Sequence, residues 1–168
     1  MKLTRIMIIL SVVILVAAIG FLILMVHTRI TGNEYQFQVD AVLAAAEIAN
    51  GGEITDDPDI SVIAEYEGKR YAVAPGNYLA LSSYLRKDCV LLPFTKISRE
   101  NALTITVCDV AVFRAVRDHG DSEDVVLVEL ETGGKTFTMR TDGGNQWKSL
   151  LTCVTEGTYH DRNLPLDP

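Results

Sequence analysis

The chain has 168 residues, 48% of them hydrophobic and 22% charged, with a formal charge of −7 and a sequence pI near 4.9. That composition excludes a disordered chain, and its acidity excludes a binder of the nucleic-acid backbone. Three cysteines are too few for a disulfide-built scaffold, and no repeat of roughly 20 to 50 residues marks a solenoid or propeller.

The apolar residues are not spread evenly. Residues 6–26 read IMIILSVVILVAAIGFLILMV, with no charge and a single hydroxyl, Ser11. A helix of this length spans about 31 Å, which matches a hydrocarbon core of about 30 Å. A soluble core helix would carry a polar stripe, and this segment has none. The exit, Leu24-Met25-Val26, offers large residues where a signal peptidase needs small ones. The segment is therefore expected to be an uncleaved signal anchor contacting the lipid bilayer. Lys2 and Arg5 precede it and Arg29 follows, so residues 1–5 should form a cytoplasmic stub with the remaining chain outside.

Beyond the span the chain carries 13 Lys and Arg against 22 Asp and Glu, a net of −9. Such a domain is repelled by anionic lipid and by nucleic acid. Residues 27–34 read as a juxtamembrane linker. Phe37, Val39, Val42, Leu43, Ala46 and Ala49 then recur at helical spacing over residues 35–50, and Gly51-Gly52 supply a stop. Residues 60–66 and 69–74 alternate as a hairpin about Glu67-Gly68. Asn77 is expected to cap a helix over 78–86 whose Tyr78, Leu81, Ser82 and Leu85 share a face. Residues 89–94 form a short strand that Pro93 confines to an edge or a bend. Residues 103–117 are expected to be one long strand with a bulge near Asp109.

Residues 125–131 and 135–141 make a hairpin about Thr132-Gly133-Gly134. A short helix follows over 145–154, with Trp147, Leu150, Leu151 and Val154 on its apolar face. This hairpin and Trp-bearing helix resemble the end of a pleckstrin-homology-type barrel, a resemblance of pattern limited to about residues 125–154 that implies no function. Residues 155–168 are polar with two prolines and are expected to be a flexible tail. The fold class expected is α+β: an N-terminal transmembrane helix, then a small domain over 35–154 with a mainly antiparallel sheet and about three helices.

Signatures of chemistry are few. Cys89, Cys108 and Cys153 are isolated among apolar neighbours and lack the C-x-x-C spacing of zinc or redox sites. His119, Asp121, Glu123 and Asp124 gather oxygen and imidazole ligands in one loop. That grouping would suit a divalent cation, although an ordinary solvated turn has the same composition. No nucleophile elbow, Walker loop or H-E-x-x-H occurs, so the sequence names no catalytic, cofactor-binding or metal residue. Tyr66, Tyr71, Tyr78 and Tyr84 fall within nineteen residues and would form a ligand or partner surface if exposed, or stack in the core if not. The expected function is binding, of a protein partner or small ligand in the cell envelope. The alternatives are a membrane-tethered envelope hydrolase and a cytoplasm-facing adaptor, in which all three thiols would stay reduced.

Overall fold

The structure is a computed structural model describing residues 2–86, 89–92, 95–98, 100–118, 125–141 and 145–166; for residues 2–10, 118 and 125 it describes the backbone alone. The fold is α+β. The described residues form three α-helices, α1 (Lys2–Ala49), α2 (Tyr78–Arg86) and α3 (Gln146–Thr155). They also form eight strands: β1 (Val62–Tyr66), β2 (Lys69–Ala72), β3 (Cys89–Leu91), β4 (Leu103–Val107), β5 (Ala111–Asp118), β6 (Val125–Thr132), β7 (Lys135–Thr141) and β8 (Leu164–Leu166). The chain divides into two compact units, Met1–Glu34 and Tyr35–Pro168.

The described residues of the first unit are all helical. Its helix is long and apolar enough to cross a membrane, a property shared by anchors and signal sequences. The linker expected over 27–34 is helix instead. No proline interrupts it, and Thr28 and Thr31 turn their hydroxyls back onto the carbonyls of Leu24 and His27, at 2.7 and 2.9 Å. Bonded this way, a hydroxyl needs no break in the helix.

In the second unit α1 buries Tyr35, Val39, Val42, Leu43 and Ala46. Phe37, expected on that face, is 68% exposed, because two residues' separation at 100° each puts it nearly opposite Val39. The Tyr35 hydroxyl donates to the Leu85 carbonyl at 2.8 Å, tying α1 to the end of α2. The helix ends where Gly51 and Gly52 take φ of 65° and 79°, and the Gly52 amide closes back on the Glu47 carbonyl at 3.2 Å. Such left-handed values cost glycine little and other residues more.

Every strand pairing is antiparallel, in the order β3-β7-β6-β5-β4-β1-β2-β8. Register places Ala64, Ile105, Phe113, Leu130 and Phe137 side by side across five strands. All five are buried in one cluster with the inward residues of the helices, including Val39, Leu81, Leu85, Leu150 and Val154. The opposite face mixes apolar residues such as Ile63, Val112 and Leu127 with polar and charged ones. There Arg114 reaches Glu129 at 3.1 Å and Glu131 at 3.0 Å across the β5–β6 pair.

Four local expectations change. Residues 103–117 are two strands, because Cys108 and Asp109 adopt φ of 50° and 52° and reverse the chain, with the Val110 amide on the Val107 carbonyl at 3.0 Å. The tail is not free. Leu164–Leu166 pairs with β2, and Pro165 is tolerated because β8 is an edge. Asn77 does not cap α2; it is fully buried, and its Nδ2 donates to the Asp161 carbonyl at 2.6 Å and to Asn163 Oδ1 at 2.9 Å. Finally, the hairpin-then-helix ending is present, but among the described residues the sheet containing it has β3 and β8 as its edges and they do not pair with each other.

Candidate functional site: an aromatic concavity beside the sheet

The four tyrosines do not share one surface. Tyr78 is 3% exposed, and its hydroxyl accepts from Asn50 Nδ2 at 2.9 Å. Burial above all pushes its pKa up to about 12, so it is a structural phenol. Tyr71 is half-buried in β2, opposite Ala64 on one side and Pro165 on the other. Tyr84 is half-buried at the wall of a cavity of about 450 Å³ between α2 and α3, and its carbonyl accepts from Gln146 Nε2. Tyr66 stands apart from these three and is the one that joins a ligand-like constellation.

β1 ends at Tyr66 with its side chain on the helix-covered side of the sheet, the same side as Val62 and Ala64. The first turn of α3 brings Trp147 to it. The two rings meet edge to face, with centroids 5.8 Å apart and planes at 70°. This orientation sets the positive edge of one ring against the negative face of the other. Both side chains are half-buried, so each keeps surface open to a ligand. Trp147, expected on the apolar face of α3, packs against the edge of the core and stays half-exposed. Gln146 is the buried residue beside it, and Leu150 and Val154 fill the core.

Around the pair lies a concavity of about 500 Å³. Ser98, Glu100 and Asn101 line it from the turn before β4, and Arg117 from the end of β5. The Glu100 amide donates to Ser98 Oγ at 3.3 Å, and Asn101 takes the left-handed φ of 59°. Asn is among the residues that tolerate this conformation best. The Tyr66 phenol is held protonated, first by burial and then by the charge and hydrogen bond of Glu67. The site therefore combines two aromatic surfaces, a phenolic donor, an amide, a carboxylate and a guanidinium. Its size falls in the range of small-ligand sites, roughly 300–1,000 Å³.

The second cavity, between α2 and α3, contains Cys153 in its wall. Burial pushes that thiol up to about 11, which keeps it protonated and unreactive at neutral pH. Among the described residues, Cys89, Cys108 and Cys153 form no disulfide. The loop candidates His119, Asp121, Glu123 and Asp124 lie outside the described residues. Among the described residues, no three His, Cys, Asp or Glu side chains are placed to hold a metal ion.

Compared with protein-family models, curated proteins and solved structures, the chain matches none. The site thus rests on its own geometry. Sequence reasoning reached Tyr66 through tyrosine density but missed Trp147, Asn101 and Arg117, which lie 35 to 81 positions away and share no motif with it.

Proposed function

We propose that the protein is a single-pass membrane-anchored binding module. Residues 6–26 are the anchor, the N-terminus is cytoplasmic, and the second unit lies outside and binds a ligand or protein segment of the cell envelope at the Tyr66–Trp147 concavity. The anchor is supported by twelve large apolar side chains between Val12 and Val26 that no other part of the protein covers. At about 1.5–3 kcal/mol for each such side chain, leaving them in water would cost on the order of 20 kcal/mol or more, which lipid relieves. The orientation rests on Lys2 and Arg5 before the span against Arg29 after it.

The observation that carries the binding role is the edge-to-face pair of Tyr66 and Trp147 set in a concavity with Asn101, Glu100 and Arg117. Half-exposed aromatics beside polar groups provide contact area at small entropic cost together with directional hydrogen bonds. The test is a photo-crosslinking amino acid at Asn101 in the full chain in cells. A discrete light-dependent adduct is expected, and Tyr66→Ala should abolish it while the far-UV circular dichroism of the purified variant still reports a folded domain. No adduct, or an adduct indifferent to Tyr66, would overturn the reading.

A further inference from the structure

A second surface lies on the other side of the helical layer. Along α1, Phe37, Ala41, Ala44 and Ile48 fall within about 60° of one another on the helical wheel, roughly opposite the buried Tyr35, Val39, Val42 and Ala46. A helix on the surface of a water-soluble domain would be polar there. Instead Phe37 is 68% and Ile48 82% exposed, and Leu79 at the start of α2 is 80% exposed. Between the two helices runs a groove of about 220 Å³, lined by Leu43, Ala44, Tyr78 and Leu79 and bordered by Asp40 and Glu47. Asp40 is held by Ser82 Oγ at 2.6 Å and by the Arg86 guanidinium at 2.7 Å, which fixes the spacing of the two helices along the groove.

Charge decides what fits. Asp40 and Glu47 border the groove, with Asp40 paired to Arg86, and α1 from Tyr35 onward with the loop after it, residues 35–59, contains six Asp and Glu and no Lys or Arg. A second copy placed on this face would set the groove's Asp40 and Glu47 against their like, and an anionic membrane surface would be repelled in the same way. An apolar helix bordered by Lys or Arg would place its anchors along the groove and its cations against those acids. We infer that the α1–α2 face is the docking site for such a basic-bordered amphipathic helix of a partner protein. This site is separate from the Tyr66–Trp147 concavity and does not depend on it.

The test uses the full chain in nanodiscs of zwitterionic lipid, with empty discs as the blank. The probe is a fluorescent 18-residue helical peptide with a leucine face bordered by lysines, compared with the same peptide carrying glutamate for lysine. Fluorescence anisotropy should show saturable binding of the lysine peptide above the blank and binding at least tenfold weaker for the glutamate peptide. Ile48→Asp and Leu79→Asp should each weaken the lysine peptide about tenfold or more. Both add negative charge, so a purely electrostatic attraction would strengthen instead. Because these side chains are so exposed, the variants should fold, and Glu65→Lys, away from this face, should leave binding unchanged. Tyr66→Ala should also leave it unchanged, which separates failure here from failure of the concavity. Equal binding of the two peptides, or indifference to the aspartate variants, would overturn the inference. So would sedimentation of the protein alone as a dimer that those variants dissociate, since the occupant would then be a second copy.

Discussion

Asn163 locks the C-terminal segment onto the domain, and its removal can be worked through from the geometry. Its Oδ1 accepts from the Ala74 amide and from Asn77 Nδ2, each at 2.9 Å, and its Nδ2 donates to the Cys153 carbonyl at 2.8 Å. The residue is 8% exposed and Asn77 is fully buried, so water does not readily replace these partners. Gly157, with φ of 75°, passes so close that an added Cβ would lie 2.6 Å from Asn77 Nδ2. In Asn163→Ala, Asn77 Nδ2 keeps the Asp161 carbonyl, but the Ala74 amide and the Cys153 carbonyl lose their side-chain partner. A buried polar group left unpaired costs about 1–3 kcal/mol, so the variant should lose about 2–5 kcal/mol. For a domain of this size that is a fall in Tm of about 6 °C or more. The assay is the emission of Trp147, the only tryptophan in the chain, as the full protein is heated in detergent, with exposed Gln36→Ala as the reference. A shift below about 2 °C, or one no larger than that of Gln36→Ala, would refute the view that residues 156–166 are part of the folded unit.

The turn at Cys108-Asp109 holds two non-glycine residues at positive φ, each of which costs on the order of 1 kcal/mol, so Asp109→Gly should raise Tm by a few degrees in the same melt. Alkali should unfold the domain. Burial raises Tyr78 to about 12 from 10.0 and Cys153 to about 11 from 9.0, so the neutral forms stabilise the fold fully below pH 9. That stability is lost as pH rises from about 9 to 12. The urea midpoint should therefore be flat from pH 7 to 9 and fall above it, with a shallower fall in Tyr78→Phe and Cys153→Ala; a midpoint that rises above pH 9 would contradict the sign. For the same reason, iodoacetamide at pH 8 should leave Cys153 unmodified in the native protein and modify it in urea, as read by mass spectrometry.

Much of the fold follows from period and punctuation. The Tyr78, Leu81, Ser82, Leu85 face of α2 is buried as its spacing required, and the hairpins at Glu67-Gly68 and Gly133-Gly134 form where glycine permits φ of 75° and 55–74°. Other features were not legible because a competing effect decided them. The Cys108-Asp109 reversal carries no Asn-Gly or Asp-Gly pair, and contacts distant in sequence hold it: β4 pairs with both β1 and β5, and the Cys108 amide donates to the Ser61 carbonyl at 2.9 Å. Residues 155–168 look like a tail in composition, yet the asparagine lock from Asn77 to Asn163 spans 86 positions and leaves no local trace. Phe37 could be misread because a run rich in alanine supports an apolar face at several rotations, and only packing chooses among them. The concavity shows the same limit. Tyr66 and Trp147 each read as ordinary hairpin and helix residues until β1 and α3 bring their rings within 5.8 Å.

The central claim, a membrane-anchored module with its binding domain outside, is tested most directly by protease protection of a C-terminal tag in sealed cells or spheroplasts. Digestion of the tag from outside, with the N-terminal stub still protected, is the expected result; it would place the Tyr66–Trp147 concavity and the α1–α2 groove on the envelope side. A tag protected until lysis would contradict the claim, put the domain in the cytoplasm and turn the search for partners inward.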